Sequence, residues 1–107
     1  MAHTVGNWSP PRPATAETQE ICIEVQRGVE EKTKRTYKEF FATEYRGNDS
    51  TFPWTMLIKV QVEGGQYLHL LVDLMYVGLR LPLKIMLRGV QEHHKEHDPL
   101  EPFTPNL

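Results

Sequence analysis

Residues 54–74 constrain this chain more than any other stretch. Trp54, Met56, Ile58, Val60 and Val62 alternate with Thr55, Leu57, Lys59, Gln61 and Glu63, a period of two that gives a strand one apolar face. Gly64, Gly65 and Gln66 break the run. Leu68, Leu70, Val72 and Leu74 then alternate with Tyr67, His69, Leu71 and Asp73. Two alternating runs around a glycine turn predict an antiparallel hairpin. The pattern also restricts register. A two-residue turn at Gly64 and Gly65 pairs Val62 with Tyr67 and sets Val60 opposite His69, which splits the apolar sets between faces. An odd turn over 64–66 pairs Val62 with Leu68, Val60 with Leu70 and Ile58 with Val72, and keeps them together. The second register is the expected one, with glycine supplying the positive φ of the turn.

Residues 15–34 read as the only long helix. Thr15 is the expected N-cap, and Glu17 sits in the first turn, where the helix dipole favours an anion. Ile21, Val25 and Val29 fall at i, i+4 and i+8 with Cys22 beside them, an apolar stripe too narrow to stand without a sheet to pack on. Lys32, Lys34 and Arg35 suit the C-terminal end. Gly28 inside the helix costs about 1 kcal/mol relative to alanine and lets the helix sit close to its partner. Residues 37–46 and 83–91 are two further strands, and Gly47, Asn48, Asp49 and Ser50 interrupt regular structure between the first of them and the hairpin. Pro10, Pro11 and Pro13 make residues 1–13 an extended arm. Its Trp8 either lies on the domain surface or meets a partner. Pro99, Pro102 and Pro105 make residues 98–107 irregular. The order predicts the α+β class in a single domain spanning 1–107: one long N-terminal helix packed across a four- to five-stranded antiparallel sheet.

With 107 residues, 39% of them apolar, the chain suits one core. A net charge of −2 leaves no electrostatic footprint for nucleic acid. No apolar run approaches a membrane span, and residues 1–11 have neither the charge nor the apolar run of a signal peptide. A lone cysteine excludes an internal disulfide and favours a reducing, cytoplasmic setting. Cys22 lies on the helix stripe, which makes it a small buried side chain rather than a nucleophile. His93 and His97 stand at helical spacing with His94 and Asp98 nearby, yet the following prolines argue against a helix there. A solvated polar stretch, and no metal site, is the expectation. No phosphate loop, acid pair or serine triad is present in the pattern, so neither catalytic residues nor a cofactor are expected.

Several pieces, taken in order, resemble the stefins, the intracellular type-1 cystatins. Pro13-Ala14-Thr15-Ala16-Glu17-Thr18-Gln19 is similar to the stefin helix entry, and Val29-Glu30-Glu31-Lys32-Thr33 to its helix end. Ile58-Lys59-Val60 and Tyr67-Leu68-His69-Leu70 resemble the central hairpin, and His97-Asp98-Pro99-Leu100 with Phe103 the C-terminus. The resemblance implies a cystatin-like fold. It also implies reversible inhibition of papain-like cysteine proteases, by a wedge of an N-terminal arm and two hairpin loops. Such a wedge fills the active-site cleft without offering a bond in attack geometry, and the nucleophile belongs to the partner.

Carried over by position, Gly6 stands where the stefin arm has its glycine. The first loop departs from the family's Gln-x-Val-x-Gly: this chain has Gly47-Asn48-Asp49-Ser50-Thr51-Phe52-Pro53-Trp54-Thr55. The second departs from a Leu-Pro pair followed by polar residues: residues 73–81 are longer and more apolar, with Leu81-Pro82 coming later. The expected partner-binding residues are Val5 and Gly6 in the arm, Asp49, Ser50, Thr51, Phe52, Pro53 and Trp54 in the first loop, and Tyr76, Val77, Leu79 and Arg80 in the second. Aromatic and arginine anchors concentrate binding energy, and proline limits the entropy lost on docking. Trp54 has an alternative, to start the strand and pack inward, and Leu74 is expected to continue the strand into the core. Two readings of partner stay open. One is a papain-like protease. The other is a stefin scaffold with diversified, engineered loops that binds a different protein and does not inhibit proteases, as the equal lengths of spans 47–55 and 73–81 suggest. Exchange of hairpins between two copies, giving a domain-swapped dimer, is a third route.

Overall fold

The computed structural model describes residues 8–48, 54–76 and 83–107. The elements are β1 (Arg12–Pro13), α1 (Ala16–Thr33), β2 (Phe40–Asn48), β3 (Trp54–Val62), β4 (Gln66–Tyr76) and β5 (Leu83–His94). The strands form one antiparallel sheet in the order β1-β2-β3-β4-β5, and α1 lies across one face of it. This is the α+β arrangement expected, with the arm contributing the fifth strand.

Each end of α1 has a local cause. Thr15 caps it: its Oγ1 accepts from the Thr18 amide at 3.2 Å, while the Thr15 amide donates to Thr18 Oγ1 at 3.1 Å. At the other end Lys34 turns left-handed with φ 63°, and its amide donates to the Glu30 carbonyl. The buried stripe runs through Thr18, Cys22, Val25 and Val29, with Ile21 only partly covered. A Cβ on Gly28 would stand 3.3 Å from Leu87 Cδ2, so the glycine lets α1 approach β5 closely. Gln19 ties the helix to β2, donating to the Phe40 carbonyl and accepting from the Ala42 amide.

Several boundaries differ from expectation, and three of them for a reason found outside their own segment. β2 starts at Phe40 rather than residue 37, because the Tyr37 amide donates to the Glu30 carboxylate at 3.0 Å instead of joining the ladder. β5 continues past Gln91 to His94, which pairs with Tyr67. The hairpin turn is Glu63–Gly65, not 64–66, with φ 80° at Gly64 and 71° at Gly65. Val62 therefore pairs with Gln66, Val60 with Leu68 and Ile58 with Leu70, two residues from the expected register. Parity is kept, so the apolar set still shares one face. What fixes the turn is Glu63, whose carboxylate accepts from the Lys38 and Glu39 amides at 3.1 Å and is held below the usual carboxylate range by them.

The sheet is buried on both faces. Under α1, Ile58, Val60, Val62, Leu68, Leu70, Val72 and Leu74 pack with Cys22, Val25, Val29, Phe40 and Val90. On the outer face, Leu57, Leu71 and Leu100 form a second cluster, with Trp8 and Phe103 against it. Residues 95–107 have no strand or helix, as the prolines imply, but they lie across this face as a strap, and Leu100 is 2% exposed. Burial of each such leucine contributes roughly 1.5–3 kcal/mol. Cys22 is fully buried, which pushes its thiol up to about 12 and keeps it inert.

Candidate partner-binding surface

Antiparallel neighbours alternate in direction, so the β2–β3 and β4–β5 connections leave from one end of the sheet and the Glu63–Gly65 turn closes the other. The described strand ends make this concrete. Asn48 pairs with Thr55, Trp54 with Leu74 and Tyr76 with Leu83, so the ends that bracket residues 49–53 and 77–82 are held side by side. The arm reaches the same end. Trp8 bridges to Asn48, the Ser9 amide donates to the Gly47 carbonyl at 2.8 Å, and the Gly47 amide donates to Ser9 Oγ at 3.1 Å.

Two expected site residues fall within this description. Trp54 starts β3, as its alternative reading had it, but it does not pack inward: it is 40% exposed. The backbone of Tyr76 is the last of the β4 ladder rather than part of a loop, and Leu74 is buried as expected. Gly47, Asn48 and Thr55 likewise lie on strands, as do residues 73–76. The equal spans 47–55 and 73–81 thus include ladder residues at their ends. Val5, Gly6, Asp49, Ser50, Thr51, Phe52, Pro53, Val77, Leu79 and Arg80 lie outside the described residues.

Sequence reasoning missed the struts beneath this end. Asp73, on the outer face of β4, accepts from Thr55 Oγ1 of β3 at 3.1 Å and from Arg88 Nη1 of β5 at 3.4 Å. One carboxylate thereby ties together the strands that carry both connections. Arg46 does the same for the arm: its Nε donates to the Ser9 carbonyl at 3.0 Å and its Nη1 to the Leu100 carbonyl at 2.8 Å. The only signal for either was a charge on the face opposite the apolar set, which ordinarily means solvent.

The histidines also needed correction. His97 is solvated, but His94 belongs to β5 and is part-buried, its ring stacked on that of His69. His93 takes φ 67° near the strand end, so His93 and His97 share no helix face. Among the described residues no three His, Cys, Asp or Glu groups come together as a metal site. What the end of the sheet offers is braced shape, with the indole of Trp54 exposed at the start of β3.

One helix across a five-stranded antiparallel sheet, with an arm and two connections gathered at one end, defines a cystatin-like protein. No protein-family model matches the chain. Curated relatives do. Cystatin-A8 of Sus scrofa is 40% identical over 98 residues, covering 92% of each chain. Cystatin-A of Felis catus is 38% identical over 99 residues, covering 92% of this chain and 97% of its own. Leukocyte cysteine proteinase inhibitor 1 of Sus scrofa is 38% identical over 98 residues, again covering 92% of each. The chain belongs to the stefin family.

Proposed function

We propose that the protein is a reversible inhibitor of papain-like cysteine proteases. It acts in the cytoplasm as one domain, filling the partner's cleft with the arm around Val5 and Gly6, with residues 49–54 and with residues 76–80. It performs no chemistry and needs no cofactor. The observation that carries this reading is the convergence of the arm and both sets of strand ends on one end of a cross-braced sheet. A pre-braced wedge loses little entropy on docking. A relative named as a cysteine proteinase inhibitor, 38% identical, supports the class of partner.

Titration against papain tests it. Tight, reversible, equimolar inhibition is expected, and Trp54→Ala should weaken it by roughly tenfold or more while leaving the thermal midpoint within a degree or two. Absence of inhibition at micromolar concentrations would refute the proposal.

A second reading draws on Phe52-Pro53-Trp54, which stands where the family pattern has Gln-x-Val-x-Gly, and on the apolar run through Val77, Leu79 and Leu81. On this reading the same end binds a different protein and spares proteases. Its signature is a papain titration without inhibition, together with a partner whose binding is lost on Phe52→Ala or Tyr76→Ala.

A further inference from the structure

The outer face of the sheet holds a pair of imidazoles that the binding surface does not use. His69, on β4, is 1% exposed, and neither of its ring nitrogens has a hydrogen-bond partner among the described residues. A neutral imidazole carries one N–H, so a buried donor faces no acceptor. The ring of His94 lies flat on it, with centroids 3.6 Å apart and planes 5° from parallel. His94 is differently placed. Its Nδ1 is 2.8 Å from Asp98 Oδ2 and its Nε2 is 2.9 Å from Gln91 Oε1. One ring of the stack has an oxygen at each nitrogen; the other has none.

The surroundings add positive charge. Lys59 of β3 faces the pair, its ammonium donating to the Glu96 and Asp98 carbonyls at 2.7 Å each and lying 3.5 Å from the Glu44 carboxylate of β2. Asp98 and Glu96 come from the strap, His94 from β5, and the phenol of Tyr67 from β4 itself, where burial first and then the Glu96 charge raise it above its ordinary value. Only Asp98 offsets the cations at the stack. Burial first, then His94 and Lys59, hold the His69 imidazole down to about 4.

We propose that the stacked pair is an acid-operated latch on the strap of residues 95–107, and that opening the latch loosens the N-terminal arm. A second N–H on His69 has no acceptor while the strap is closed, and its charge is opposed by His94 and Lys59. Parting the stack hydrates both rings and removes the conflict. A hydrated imidazole takes its proton near 6.5, whereas the closed form holds His69 down to about 4. Acid therefore favours the open form as pH falls between those values, and the effect is absent above them. The shift corresponds to a change of roughly 300-fold in the open-to-closed ratio at most.

The arm follows through two contacts. The Arg46 guanidinium holds the Leu100 carbonyl of the strap and the Ser9 carbonyl of the arm together. Trp8 packs on the cluster that Leu100 completes. A departing strap removes one partner of the first contact and part of the surface of the second. The consequence for protease binding rests on the arm being part of the wedge; the latch itself does not.

Amide hydrogen exchange by NMR tests this on the full chain without any partner. The Asn106 and Leu107 amides report the strap, each being bonded to the Arg88 carbonyl of β5, and the Ser9 amide reports the arm. After correction for intrinsic chemistry, their protection should fall at least about tenfold from pH 7 to pH 4.5, while Val60 and Leu70 in the sheet keep theirs. His69→Leu, with no titrating group and a similar volume, should hold all three amides flat across that range. A flat profile in the unaltered chain, or an undiminished fall in His69→Leu, overturns the latch. So does a His69 ring that titrates near 6.5 while the strap amides stay protected, a result that needs no variant. Loss of strap protection with Ser9 still protected overturns the link to the arm.

Discussion

The two faces of this sheet are both buried, yet they are built on different principles. The face under α1 is closed by periodic apolar side chains, and the helix that covers it satisfies its own backbone. The outer face is closed by a segment without regular structure, so its carbonyls need donors from elsewhere. Lys59 serves Glu96 and Asp98, and Arg46 serves Leu100 and Ser9. Asn106 serves the edge of β5, donating to the Val90 carbonyl and accepting from the Val90 amide. A helix-covered core can be purely apolar. A strap-covered one must bury polar and titratable groups, and so responds to pH and to the loss of single side chains in ways the other does not.

The comparison breaks most sharply on core truncation. Leu70→Ala, at the centre of the helix face, should lower unfolding free energy by about 2–5 kcal/mol in urea titration, with every probe reporting one transition. Lys59→Met should cost about 1.5–3 kcal/mol by leaving two strap carbonyls without their cationic donor. Here the strap amides should lose protection before the sheet does; simultaneous loss would mean that the outer face has no independence from the core. Gly89→Ala sharpens the same point with a smaller effect. The added methyl would stand 2.9 Å from Phe103 Cε2 and 3.2 Å from Asn106 Oδ1. A cost of about 1 kcal/mol is expected, with the Asn106 and Leu107 amides affected first.

The legible part of the candidate site was its framework. Alternation located β3 and β4, so Leu74 was correctly set in the core and Trp54 at a strand start, although Trp54 is exposed rather than inward, while Thr15 and Glu17 were enough to place the helix entry. The braces were not legible. Asp73 and Arg46 read as outward charges, because nothing in the local pattern says that a distant segment will fold over them.

The sequence by itself determined that an amphipathic helix must cover an alternating hairpin, and which residues of that hairpin face inward. Periodicity and capping are local, and neighbouring residues settle them without help. Only the tertiary structure decided that the turn begins at Glu63, that Tyr37 stays out of the ladder, and that the outer face is a second core joined to the arm through Arg46. Those outcomes hang on side chains meeting backbone groups many residues away, and such meetings leave no period in the chain.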